Sequence, residues 1–337
     1  MYGRERWERI ENEILAKEAT HSIQSKGRKY EEKECDMRTC FQRDRDRIIH
    51  SKSFRRLKHK THVFIAPEGD HYRTRLTHTL EVAQIGRTIA RGLALNEDLV
   101  EAIALGHDLG HTPFGHTGEA VLNDLNPKGF RHNLHSLRVV DYLEHKGNRP
   151  GLNLTWEVRD GIRNHSGEFK AHTLEGEIIK IADRIAYINH DIDDAIRAHV
   201  LKLEDIPREY LEILGESHSD RIDTMIGSII ESSQSMEKIQ MDERVGEATL
   251  DLRTYMFDHV YYNTTVKSED QKVRIILEQI YNYYKANMDK LPNEFLIHGE
   301  NELSDDDRIT DYIAGMTDRF AIHCWKDLFM PRYWSTM

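Results

Sequence analysis

The chain has little cysteine, proline or glycine, and no long apolar run. Its three cysteines, Cys35, Cys40 and Cys324, are odd in number and share no CxxC spacing. That excludes a zinc ribbon or a disulfide framework and fits a reducing, cytoplasmic compartment. Seven prolines and 20 glycines in 337 residues are too few for a turn-rich β architecture. No stretch reaches the roughly 18 apolar residues of a membrane span. The opening MYGRERWERIENEILAKEAT has no apolar leader core, so neither export nor a membrane partner is expected. There is no internal repeat, no low-complexity tract and no Pro/Gly/Ser linker between two halves.

What is present is charge and helical periodicity. Charged residues make up 31% of the chain and apolar ones 39%, with a net charge of −11, as in a globular protein with a strongly hydrated surface. The charge is uneven. Arg38 to His62 holds nine Lys or Arg against two acids. This suggests a local anionic partner, although RDRDR can also pair within itself as a solvated helix. Aromatics interleaved with that segment are few (Phe41, Phe54, Phe64), so a dedicated single-strand groove is poorly supported.

Apolar spacing predicts an all-α fold. Leu76, Leu80, Ala83, Ile89 and Leu93 mark a helix over 76–95. Asn96 is placed to cap the next one, which would run to Leu109 and stop at Gly110. Ile178, Ile181, Ile185, Ile188, Ile192 and Ile196 form one stripe of a helix over 175–200, and Asp183, Tyr187 and Asp191 a second. Further helices are expected over 208–214, 220–232, 243–262 and 267–287. Polar loops are expected at 66–72, 126–133, 144–153 and 298–307. A basic helical segment over 1–60, a core over 61–200 and C-terminal helices over 201–337 packed on it complete the expected organisation.

AIALGHDLGHTPFGHTGE (102–119) sets His107 beside Asp108 among small and apolar residues. With His78 upstream and Asp183 downstream, the chain has the pattern H…HD…D. Two imidazoles and two carboxylates can hold a divalent metal and leave positions open for water and substrate. The mixed donor set suits Mn, Fe, Co, Ni or Zn, with Mg a weaker fit. Any single histidine is more often a surface or packed residue; the three-part pattern on credible helices is what carries the reading. Arg75, three residues before His78, shares its helical face and can enter the same site. At i, i+3, Glu119 can orient His116.

H…HD…D on successive helices resembles the HD-domain superfamily of metal-dependent phosphohydrolases. The longer segments CDMRTCFQRDRDRIIHSKSFRRLKHKTHVF (35–64), DHYRTRLTHTLEVAQ (70–84), HDLGHTPFGHTGE (107–119), FRHNLHSLRVVDYLE (130–144) and ADRIAYINHDIDDA (182–195) are similar to the deoxyguanosine-triphosphate triphosphohydrolase family. LRTYMFDHVYYN (252–263) matches more loosely. The resemblance implies an HD-domain helical core and hydrolysis of a deoxynucleoside triphosphate to deoxynucleoside and inorganic triphosphate. It also implies a homo-oligomer, often a hexamer, with regulation by a nucleotide or single-stranded DNA. Arg43, Arg45 and Arg47 would serve such a regulatory or inter-subunit site.

By the same resemblance His116 and Glu119 are a catalytic pair, and His132 stands near the scissile bond. Either His116 or His132 can be the general acid. His111 is a phosphate neighbour, and Arg75 and Arg184 contact substrate. Tyr187 packs on the sugar, Asp191 contacts the triphosphate side or its associated cation, and Arg253 and Tyr261 serve phosphate and base or sugar. His62 departs from the family pattern, where Gln contacts the deoxyribose 3′-hydroxyl. Histidine differs in length and in protonation near pH 6–7, so sugar or base preference can differ. The competing readings are an HD phosphohydrolase for another nucleotide or phosphoester, and a nucleotide- or single-strand-binding regulator with weak catalysis.

Overall fold

The computed structural model describes residues 3–62, 73–147, 149–261, 264–297 and 303–331, apart from the side chains of 146, 261, 264–268 and 297. The expected loop over 66–72 lies outside the described residues. The helices are α1 (Gly3–Ile14), α2 (Cys40–Ile49), α3 (Lys52–Arg56), α4 (Arg75–Gly92), α5 (Glu97–Gly106), α6 (Gly115–Leu125), α7 (His132–Arg138), α8 (Trp156–Asn164), α9 (Leu174–Arg197), α10 (Arg208–Leu214), α11 (His218–Ser232), α12 (Glu243–Met256), α13 (Thr264–Ala286), α14 (Asn293–Ile297), α15 (Asp305–Ala314) and α16 (Asp318–Phe329). The fold is all-α. Among the described residues the only sheet is a two-stranded antiparallel hairpin, His145–Lys146 with Arg149–Pro150, inside the expected loop over 144–153.

Local chemistry explains most boundaries. Asn96 caps α5, its side chain accepting from the N–H groups of Asp98 and Leu99. Thr39, Ser217 and Ser304 close capping boxes on α2, α11 and α15. Four expected helices end early, among them α4 at Gly92 instead of 95 and α9 at Arg197 instead of 200. α5 stops at Gly106, and the chain turns through His107–Gly110 to place two neighbouring polar residues at the site. α12 stops at Met256 and widens into a π turn over Phe257–Tyr261.

The expected α4 stripe is only partly the buried one. Leu80 is 51% exposed, whereas Arg75, His78 and Thr79 are buried with Val82, Ile85 and Ile89. Burial here is set by the site that α4 must face, not by side-chain polarity. On α9 the isoleucine stripe is core and Asp183, Tyr187 and Asp191 lie on another face.

Two apolar clusters hold these helices. The larger runs from Ala19 to Val260 and includes Ile103, Ile185 and Leu252. The smaller joins Phe114, Val121, Leu122 and Phe130 to Val273, Leu277, Ile309 and Ala321, with α13 packed on α6 and α15 and α16 packed on α13. Gly110 permits one close approach. A Cβ there would lie 2.1 Å from the Ser136 backbone nitrogen, so only glycine lets the 107–111 turn press on α7.

Candidate active site

α4, the turn after α5, and α9 bring four groups to one centre. His78 Nε2 lies 3.0 Å from Asp183 Oδ1. His107 Nε2 lies 3.5 Å from Asp108 Oδ1 and 3.8 Å from Asp183 Oδ1. The Nδ1–H of His107 donates to the Ala104 carbonyl at 2.6 Å, which leaves Nε2 with its lone pair. That nitrogen is buried and has no hydrogen-bond partner among the described residues. A buried, unpartnered acceptor beside two carboxylates is unfavourable unless a cation joins them. His78, His107 and Asp108 each offer a ligand atom within 4.8 Å of the others. The residues therefore fit a divalent metal.

Electrostatics favour ionised carboxylates here. Burial pushes the Asp108 carboxyl up, but His107 and Arg75 outweigh it and hold it well below the usual range. Arg75 Nη1 reaches Asp108 Oδ2 at 2.7 Å. Burial likewise opposes ionisation of Asp183, and the hydrogen bond to His78, helped by the nearby His107 ring, overcomes it.

A second group of histidines adjoins the first. His111 is buried and stacks on His132 with centroids 4.5 Å apart. Glu119 Oε1 accepts from the His132 backbone N–H at 2.8 Å and from its Nδ1 at 2.9 Å. Glu119 Oε2 lies 3.5 Å from His116 Nδ1, so the i, i+3 pair is the looser of its two contacts. His132 Nε2 faces His165 Nε2 at 3.2 Å. Burial raises Glu119, but hydrogen bonds from His116 and His132 hold it far below its ordinary range. Burial lowers His132, yet the Glu119 hydrogen bond and charge raise it overall. His116 is 77% exposed at its side chain.

Of these, Arg75, His78, Asp108, His111, His116, His132 and Asp183 line a cavity of about 760 Å³ together with His62, Tyr187, Asp191 and Arg253. The volume lies within the usual range for a small-molecule site. Arg253 Nε donates to the Tyr187 hydroxyl, and its guanidinium lies 4.8 Å from the Phe257 ring centre. His62 stacks on His78 at 4.2 Å, with its Nε2 3.8 Å from Asp191 Oδ1. Burial, then the charges of His78 and Arg75, holds His62 neutral, well below the ordinary imidazole range. Burial and Asp194 push the Asp191 carboxyl well up.

Arg184 is half-buried and does not line the cavity. As the neighbour of Asp183 it turns about 100 degrees away around the helix. The side chain of Tyr261 lies outside the described residues. Arg43 and Arg47 pair with Glu32, while Arg45 pairs with Asp98 and Glu101, so these three guanidiniums are engaged within the chain.

The HD domain family matches residues 75–188, and the phosphohydrolase-associated domain matches 239–327. A deoxyguanosinetriphosphate triphosphohydrolase-like protein of Caldanaerobacter subterraneus is 56% identical, over 99% of this chain and 98% of that protein. The chain belongs to this family. Proteins with the same description from Clostridium tetani and Desulfatibacillum aliphaticivorans are each 48% identical, over 98% and 97% of this chain and 97% and 98% of theirs. A crystal structure of a hypothetical protein from Aquifex aeolicus aligns with TM-score 0.47 and 21% identity, over 86% of this chain and 68% of that one. The family makes this an HD-domain phosphohydrolase. Among the described residues no helix is long and apolar enough to cross a membrane.

Several groups at this phosphohydrolase site escaped the sequence reading. His165 is buried between His107 and His132, at ring distances of 4.9 and 5.2 Å. Asp270, Gln271 and Arg274 on α13 line the cavity, with Thr117 Oγ1 donating to Asp270 at 2.6 Å. His165 sits in RNHSGE, where the lone histidine has no spacing to mark it. The α13 residues carry an ordinary surface pattern and enter only because α13 packs on α6.

Proposed function

We propose that the protein hydrolyses deoxynucleoside triphosphates to deoxynucleoside and inorganic triphosphate, with a divalent metal held by His78, His107, Asp108 and Asp183. One observation carries this reading: a single nucleotide-sized cavity joins the His/Asp centre to Arg75, Arg253, Tyr187 and His116. The relatives' description as deoxyguanosinetriphosphate triphosphohydrolase-like supports the substrate class. When bound, the metal would supply Lewis acidity and activate water at the α-phosphorus.

The chain's own groups do the rest. Arg75 and Arg253 offset phosphate charge. Tyr187, held by Arg253, packs on the sugar, and neutral His62 hydrogen-bonds its 3′-hydroxyl. Asp191 borders the sugar and triphosphate. His111 lies beside the phosphates.

His116 delivers the proton to the leaving 5′ oxygen. Both ring nitrogens of His132 are engaged, by Glu119 and His165, whereas His116 lines the cavity and its Nε2 has no hydrogen-bond partner among the described residues. Glu119 orients His116, and His132 buttresses Glu119. The basic segment over 1–60, the core over 61–200 and the C-terminal helices over 201–337 would work as one cytoplasmic, oligomeric enzyme.

The test is incubation with each dNTP and NTP under Mg, Mn and Co, with both products identified by chromatography. Inorganic triphosphate and deoxynucleoside are expected. Release of pyrophosphate or monophosphate from every substrate would refute the reaction.

A further inference from the structure

α16 reaches the active site through one carboxylate. Asp318, at the first position of α16, is 4% exposed. Its Oδ1 accepts the backbone N–H of Phe114 at 2.9 Å, and its Oδ2 accepts the backbone N–H of Thr61 at 2.9 Å. Each amide stands directly before site residues. Thr61 precedes His62, which stacks on His78. Phe114 is the residue from which α6 starts, two positions ahead of His116 and five ahead of Glu119.

The Phe114 turn needs holding. Phe114 has φ 62° and Gly115 φ 58°, two left-handed residues in succession. A bulky residue in that region costs on the order of 1–2 kcal/mol. It persists only where surrounding bonds fix it, and its N–H goes to Asp318. A second tie runs parallel. Buried Lys60 donates to the carbonyls of His111 and Ala314, so the same C-terminal region grips both sides of the 111–116 loop.

We propose that Asp318 is a positioning residue through which the C-terminal helices set the geometry of His116, Glu119 and His62. The proposal rests on the function given above for its kinetic arm. The metal ligands and the triphosphate-facing Arg75 and Arg253 sit on α4, α9, α12 and the turn after α5 and make no bond to Asp318, although Thr61 also pairs with Thr74 at the head of α4. Loss of Asp318 should therefore lower kcat more than it changes metal content or KM.

The discriminating variant is Asp318→Asn in the full chain. Asparagine keeps the shape but offers one carbonyl oxygen, so one of the two N–H groups must face an NH₂. Hydrogen exchange read by mass spectrometry should show at least tenfold faster exchange at Thr61 or Phe114. Where dGTP is hydrolysed to triphosphate, kcat per folded molecule should fall about tenfold or more, with metal content unchanged and any rise in KM through His62 smaller than the fall in kcat. Glu11→Gln is the comparator: Glu11 is a buried carboxylate that accepts from Ser22 N–H and Oγ–H, remote from the cavity, and should cost stability without lowering kcat.

If Asp318→Asn does not fold, Asp318→Glu, which retains both acceptors but shifts them by one methylene, is read the same way. Unchanged exchange at both amides overturns the proposal, and so does unchanged kcat on a hydrolysed substrate. A wild-type protein that hydrolyses no dNTP overturns the proposed function instead, and the exchange measurement still decides the role of Asp318.

Discussion

Glu119 grips His132 at two points, accepting its backbone N–H at 2.8 Å and its ring Nδ1 at 2.9 Å. The same carboxylate, through its other oxygen, stands 3.5 Å from His116. One acid thus sorts two imidazoles, locking the first and orienting the second toward the cavity.

His116→Ala should lower kcat by roughly 100-fold or more, with metal content unchanged, as expected for loss of a general acid. His132→Ala should act more weakly on kcat and also loosen the Glu119 geometry. Steady-state kinetics on both variants decide the order. An inert His116→Ala alongside a crippled His132→Ala would move the proton donor to His132.

Asp108→Ala should lose bound metal and turnover while the helical fold survives. Arg75, 2% exposed, would lose its 2.7 Å partner, so stability should also fall, by about 1–4 kcal/mol. Metal analysis and circular dichroism on one preparation check both. Full activity in this variant removes the metal reading of the centre.

His62→Gln should reshape substrate preference rather than abolish activity. The buried, neutral imidazole stacks on His78 and carries its donor and its acceptor on separate ring nitrogens, whereas an amide presents both at one end. The kcat/KM ratios across the four dNTPs, and between dNTP and NTP, should shift by more than about threefold. An unaltered profile would show that His62 does not touch the sugar.

Acid stability should depend on Glu32. Burial opposes its ionisation, but Arg47, Arg149 and Arg28 lower its pKa from 4.5 to about 2. A depressed folded pKa stabilises above the unfolded value, and that contribution is lost as pH falls from about 4.5 toward 2. Glu32→Gln should therefore cost about 1–3 kcal/mol near neutral pH, the upper figure being the unscreened limit. The gap should narrow as acid is added. Urea denaturation of both proteins from pH 7 to 3 measures it; a gap that stays constant over that range contradicts the ion cluster's role.

Three cations of the basic segment have partners that the local sequence does not reveal. Nine cations between Arg38 and His62 suggested an anionic partner. In the fold Arg43, Arg45 and Arg47 pair with Glu32, Asp98 and Glu101, of which the last two lie more than 50 residues away. Net charge along a segment does not reveal which carboxylates will fold against it.

The sequence by itself determined the helices and the His/Asp centre. Helical periodicity and caps such as Asn96 act over a few residues. H…HD…D places chemically distinctive residues on neighbouring helices. Tertiary structure alone decided which imidazole Glu119 would lock, that His165 would sit between His107 and His132, and that α13 would border the cavity. It also decided that Asp318 would tie α16 to the Phe114 turn, 204 positions away in sequence. Those relations depend on packing between distant helices and on hydrogen bonds to backbone amides, whose direction is set by the fold and not by residue type.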